Sequence, residues 1–140
     1  MKQIPVIFWT GTGNTQMMAD AVAEAINAAG AEAVVKNVSE ITADEAAGYD
    51  ALALGCPAMG AEVLEECEFE PFFTELEGKL AGKKVALFGS YGWGGSYMQD
   101  WEARAKDAGA TLVADGVLAL GAPDDEAMAK LAEAGKLLAE

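Results

Sequence analysis

Residues 10 to 15 read Thr-Gly-Thr-Gly-Asn-Thr, between an apolar run at 4–9 and a helical pattern. Gly11 and Gly13 let the backbone turn its amides inward, and Thr10, Thr12, Asn14 and Thr15 add side-chain donors. The helix that follows aims the positive end of its dipole at the same spot. This is phosphate-binding chemistry, and the details choose among phosphates. A P-loop needs GxxxxGK[ST], and no lysine follows; a dinucleotide fingerprint needs a third glycine where Gln16 stands. No cation lies between Lys2 and Lys36. Neutral donors alone suit a terminal monophosphate held in place, since a phosphoryl group in transfer needs Lys, Arg or a metal ion to absorb its charge. A plain capped turn is the alternative, and the density of glycine and hydroxyl argues against it.

Two further loops carry cofactor-like residues. Pro57, Ala58, Met59, Gly60, Ala61 and Glu62 follow Cys56; Ser90, Tyr91, Gly92, Trp93, Gly94 and Gly95 follow Gly89. An adaptable thioether on one loop and a large aromatic on the other are able to close on a flat ring from opposite faces. Four glycines between 89 and 95 let the backbone approach closely.

The elements that must position these loops alternate regularly. Apolar runs at 4–9, 33–38, 51–56, 85–89 and 111–120 are too continuous for half-exposed strands and suit parallel strands covered on both faces. Helical spacing fills the intervals, as in Met18, Val22, Ile26 and Ala29 before Gly30, and again at 71–80, 96–108 and 123–139. Asp124 and Asp125 stand where a cap and a first-turn acid belong. Five strands alternating with helices predict an α/β doubly wound, three-layer sandwich around a five-stranded parallel sheet. Its functional loops belong at the carboxyl ends of the strands, where all three loops above fall. At 140 residues and 52% hydrophobic content the chain is one domain, 1–140.

Charge and residue usage exclude much else. The formal charge is −14, from 9 basic against 23 acidic residues, with no histidine. That excludes nucleic acid and anionic membrane surfaces as partners and favours proteins with basic surfaces. Lacking histidine, the chain has neither the usual general acid/base nor the commonest metal ligand, so its chemistry rests on a cofactor and no catalytic or metal-binding residue is expected. Cys56 and Cys67 form no metal or redox motif, and Cys56 reads as a small buried hydrophobe. With no signal peptide legible in residues 1–9, the expectation is a cytoplasmic protein.

The motifs TGTGNT at 10–15, GCPAMG at 55–60 and GSYGWG at 89–94, in order at three strand ends, closely resemble those of the short-chain flavodoxins of anaerobic bacteria, clostridial and Megasphaera-like. The resemblance spans essentially the whole chain. It implies sheet order 2-1-3-4-5, non-covalent FMN, and a monomeric low-potential one-electron carrier working through the semiquinone/hydroquinone couple between a reductase and an acceptor. Residues 10–15 then resemble the FMN phosphate loop, with Ser90 adding a hydroxyl. Met59 and Trp93 resemble the side chains flanking the isoalloxazine, and Glu62 the acceptor for flavin N3. The Gly60–Ala61 peptide resembles the one whose carbonyl turns toward N5. Gly60 suits that turn because it lacks the Cβ that penalises positive φ; Ala61 departs from the polar residue more usual at its position.

Glu62, Glu65, Glu66, Glu68 and Glu70 crowd beyond the second loop. At about 10 Å and an effective dielectric near 40, each carboxylate disfavours a reduced, anionic flavin by roughly 0.8 kcal/mol, so several together lower the second potential by on the order of 100 mV. A flavodoxin-like quinone or NAD(P)H oxidoreductase is the competing reading; it needs a second pocket, for which the chain has little length. A receiver domain needs aspartates where Thr10, Cys56 and Pro57 stand, and a low-molecular-weight phosphatase needs a cysteine and arginine about its loop.

Overall fold

The computed structural model describes residues 2–11, 13–59, 64–91 and 96–140. Strand β1 (Gln3–Phe8) leads into α1 (Asn14–Ala28), then β2 (Glu32–Asn37), a 3-10 turn at Val38–Glu40 and a short helix α2 (Ala43–Ala46). Next come β3 (Ala51–Gly55), α3 (Phe69–Glu77), β4 (Lys84–Tyr91), α4 (Ser96–Asp107), β5 (Thr111–Leu112), β6 (Val117–Leu120) and α5 (Asp125–Ala139). The pairings are parallel, in the order β2-β1-β3-β4-β5, with β6 also on β4. The chain winds outward from β1 to β2 and then returns to the other side of β1 at β3, so the topological switch lies between β1 and β3.

The period-two alternation of the strands sorts their side chains between two cores. Leu52, Leu54, Val85 and Leu87 face α2, α3 and α4, joined by Phe69, Phe73 and Trp101. Ala51, Ala53 and Ala86 face the opposite way, toward α1 and α5, with Met18, Val22, Ile26 and Leu131. Gly135 lets these two helices approach closely: a Cβ on this residue of α5 would lie 2.7 Å from the Val22 carbonyl of α1. The other face is filled by rings: Phe69 and Phe73 both meet Trp101 edge-on, at 5.5 and 5.9 Å. Burying each such ring contributes roughly 2–3 kcal/mol.

The sequence expectations hold for the sheet order and the main helices, with three differences. Residues 111–120 are not one strand: 113–116 interrupt the ladder, so β5 and β6 pair separately with the two ends of β4. β2 is not covered on both faces; it is an edge strand with Val35 exposed. α3 begins two residues before Pro71, which a first helical turn tolerates because its N–H would have no partner there. The elements between β2 and β3 are each opened by a capping box, Asn37 with Glu40 and Thr42 with Glu45.

Candidate functional site

A cleft of about 340 Å³ opens at the carboxyl ends of four strands. Trp9, Gly11 and Asn14 line it from the loop after β1; Pro57, Ala58 and Met59 from the loop after β3; Ser90 and Tyr91 from the end of β4; Gly121 from the end of β6. It thus sits over the β1/β3 switch, and the three loops singled out by sequence meet there. Thr12, Gly60, Ala61, Glu62, Gly92, Trp93 and Gly94 lie outside the described residues.

The first loop is built around α1. Gly13 is its N-cap, at φ 94°, a left-handed conformation that favours glycine. Thr10 Oγ1 accepts from Gly13 N at 2.9 Å, which closes the loop and leaves the Thr10 O–H as a donor. Among the described residues no side chain caps α1, and its first turn carries no acid. Its leading N–H groups therefore face the loop without an internal anion. Thr15 is buried in the first turn. Gly11 passes beneath the indole of Trp9: a Cβ there would lie 3.2 Å from the ring.

The second and third loops are joined at their roots, where Ala58 N donates to Ser90 O at 2.9 Å. Pro57, Ala58 and Met59 give the cleft an apolar side, and the Tyr91 ring adds to it. The Ser90 hydroxyl donates to Gly121 O at 2.7 Å. In this rotamer it offers the cleft lone pairs, not a proton.

Sequence reasoning missed Trp9 and Gly121 as lining residues. An aromatic at the last position of the first apolar run was a usable signal for Trp9. Gly121 was hidden because it enters through β6, which sequence merged into a longer strand. The acidic cluster also resolves differently from a solvated face. Glu65 is turned inward: its Oε2 accepts from Cys67 N at 2.8 Å, and its Oε1 from Glu68 N at 2.7 Å and Phe69 N at 2.9 Å. Burial works to raise its pKa, but the three backbone N–H donors outweigh burial and hold the carboxyl below its ordinary value.

Glu70 is tied by a bidentate bridge to Arg104 at 2.8 and 2.9 Å, which lowers its pKa in turn. Glu68 Oε1 accepts from the Trp9 indole at 3.3 Å. Burial pushes the Cys56 thiol up to about 12, so it stays protonated, as a buried hydrophobe should. Among the described residues no group of acids or cysteines has the geometry of a metal site.

A parallel sheet of this order, with a phosphate-type loop and an apolar cleft at the switch point, defines the flavodoxin-like class of α/β protein. The flavodoxin family profile matches residues 6–135. The chain is 47% identical over 135 residues to the flavodoxin of Clostridium beijerinckii, covering 96% of this chain and 97% of that protein. It is also 47% identical over 116 residues to the flavodoxin of Megasphaera elsdenii, covering 82% and 85%. The solution structure of two-electron reduced Megasphaera elsdenii flavodoxin superposes with a TM-score of 0.90 at 43% identity, over 97% of this chain and 98% of that one. The chain belongs to the flavodoxin family: an FMN-binding electron-transfer protein, not an enzyme, that works with redox partner proteins. No helix among the described residues is long and apolar enough to cross a membrane.

Proposed function

We propose that this single domain, 1–140, is a low-potential one-electron carrier that holds FMN non-covalently in the cleft over the β1/β3 switch. The observation that carries the reading is the pairing of an N-terminus of α1 that has no side-chain cap and no first-turn acid among the described residues with an apolar wall of the same cleft. A phosphate and a flat ring are the two ends of one ligand that these features suit.

FMN supplies the one-electron chemistry when bound. The chain's residues hold and shield it. Thr10, Gly11, Thr12, Gly13, Asn14 and Thr15 would take the phosphate on backbone amides and hydroxyls, without a cation. Ser90 joins them only if its hydroxyl leaves Gly121. Pro57, Ala58, Met59, Tyr91, Gly92, Trp93 and Gly94 would enclose the ring, with Glu62 accepting from its N3 and the Gly60–Ala61 carbonyl turning to meet a proton at N5. Glu66 and Glu68 raise the cost of adding negative charge in the cleft, which favours a low potential.

The described charges support a basic partner over the cleft. Lys2, Lys83 and Lys84 lie at the amino-terminal ends of β1 and β4, away from the cleft, where each donates to a carbonyl: Leu138 O at 3.2 Å, Tyr49 O at 2.8 Å and Glu140 O at 3.3 Å. The resulting field steers a cationic surface toward the cofactor end. A monomer in the cytoplasm, serving a reductase and an acceptor, completes the reading. Anaerobic redox titration of the FMN-loaded protein tests it. Two separated one-electron steps, the second at low potential and rising when Glu62, Glu66 and Glu68 become Gln at low salt, are expected. A single two-electron wave would overturn it.

A further inference from the structure

Tyr97, the second residue of α4, is buried, and its hydroxyl donates to the carbonyl of Cys56 at 2.8 Å. The phenol reaches β3 from the helix that follows β4, and it does so through a gap left by Gly89. A Cβ on Gly89 would sit 2.1 Å from both the Tyr97 oxygen and the Cys56 carbonyl oxygen. Any side chain at 89 would therefore displace this bond. One turn along α4, the Trp101 indole stacks on the Tyr97 ring at 6.5 Å, with the planes 24° apart.

The two ends of the bond are the roots of two loops. Cys56 immediately precedes Pro57, Ala58 and Met59, while Tyr97 follows the 92–95 stretch by a single intervening residue. Further ties hold this root: Cys56 N donates to Phe88 O at 3.1 Å and Ala58 N to Ser90 O at 2.9 Å, both on β4, while Glu65 N donates to Cys56 Sγ at 3.3 Å from the far side of the same loop. Among the described residues, the Tyr97 bond ties the root of the β3 loop to α4.

We infer that Tyr97 is a positioning residue that couples the root of the loop after β3 to α4 and so preorganises the Pro57–Met59 wall of the cleft for FMN. The inference rests on FMN occupying the cleft. Without the hydroxyl the packing of the ring is kept, but the Cys56 carbonyl loses its buried donor and the root of the loop gains alternatives. A ligand then binds only the fraction of molecules with this wall in place.

The test compares Tyr97→Phe with Trp101→Phe, which disturbs the same helix and the same core without touching the Cys56 carbonyl. Fluorescence titration of the apoprotein with FMN, amide exchange at Ala58 and both one-electron potentials are measured for each. Tyr97→Phe should raise the FMN dissociation constant about tenfold, as a fall in the competent fraction to about a tenth requires. It should also speed exchange at Ala58 and shift the first potential. Trp101→Phe should lower the melting temperature and leave the other three readings near those of the parent protein.

Equal effects from the two variants, or an unchanged dissociation constant and potentials in Tyr97→Phe, overturn the inference. Should Tyr97→Phe unfold, the comparison is repeated with an excluded osmolyte that restores the compact state. Failure to fold even then makes the bond a determinant of the whole fold and overturns the coupling role. If the parent protein binds no FMN at all, the reading of the cleft itself fails, which is a separate result.

Discussion

The N-termini of α1 and α3 both stand beside the cleft, and they are finished in opposite ways. α3 closes on a carboxylate from its own chain, with Glu65 taking three backbone N–H groups. α1 ends at a left-handed glycine, with no side-chain cap and no acid in its first turn among the described residues. α5, capped by Asp124 and followed by Asp125 and Glu126, resembles α3. Two helix ends carry their anion and one leaves the position open. Since the dipole and the orphan N–H groups are alike in all three, the difference locates where the molecule expects a negative charge from outside.

The comparison is broken most severely at Glu65. Glu65→Ala removes the acceptor from three N–H groups at a buried position, and about 3 kcal/mol of apoprotein stability should go with it, read as a fall in the urea midpoint. The pH dependence sharpens the point. Because the folded-state pKa of Glu65 is depressed, its contribution is complete above the ordinary carboxylate value of 4.5 and is lost as the pH falls through the lowered value. Wild-type stability should therefore drop steeply in acid. Glu65→Gln should flatten that slope but not abolish it, because Glu70 beside Arg104 titrates with the same sign. An unaltered slope in Glu65→Gln would mean that the carboxylate is not charged in the folded protein.

How much of this contrast is legible in the sequence depends on how local the cause is. The α1 loop announces itself because glycine and hydroxyl residues at 10–15 have few other reasons to be consecutive, and the Asp124 cap obeys a short-range rule. Glu65 does not, because it reaches three and four residues ahead into a helix that starts before Pro71, and the run of acids around it reads equally well as a solvated face. The sheet order could be anticipated from alternation of apolar runs and helical spacing. The split between β5 and β6 had one local signal, the turn-prone Asp115-Gly116 pair that interrupts the apolar run, but with Val113 and Ala114 before it and Val117 after it the segment still reads as one strand. Trp9 and Gly121 were missed for a related reason. Each enters the cleft from a strand end, by position in the folded sheet and not by motif.

The complementary break puts an anion where the chain has none. Asn14 lines the cleft at the first residue of α1. Asn14→Asp is nearly isosteric, yet it sets a carboxylate against an incoming phosphate dianion while offering the helix dipole a favourable charge. FMN affinity should fall about a hundredfold, or ~2.7 kcal/mol, whereas the apoprotein should gain about 0.5 kcal/mol. Opposite signs in the two measurements are the signature of an end kept open for a ligand. Losses in both would assign Asn14 a structural role instead.

The smallest effect belongs to the end that is already sealed and holds no ligand. Asp124 Oδ1 accepts from Ala127 N at 2.8 Å, an ordinary cap of a 15-residue helix. Asp124→Ala should cost about 1 kcal/mol in urea unfolding and change FMN affinity by less than about twofold. Its loss resembles that of Glu65→Ala in kind but is smaller, because one N–H group is orphaned instead of three and Asp125 and Glu126 still offset the dipole. If Asp124→Ala weakened FMN binding as strongly as Asn14→Asp, the contrast between open and sealed helix ends would be one of overall charge near the cleft, and not of which end receives the phosphate.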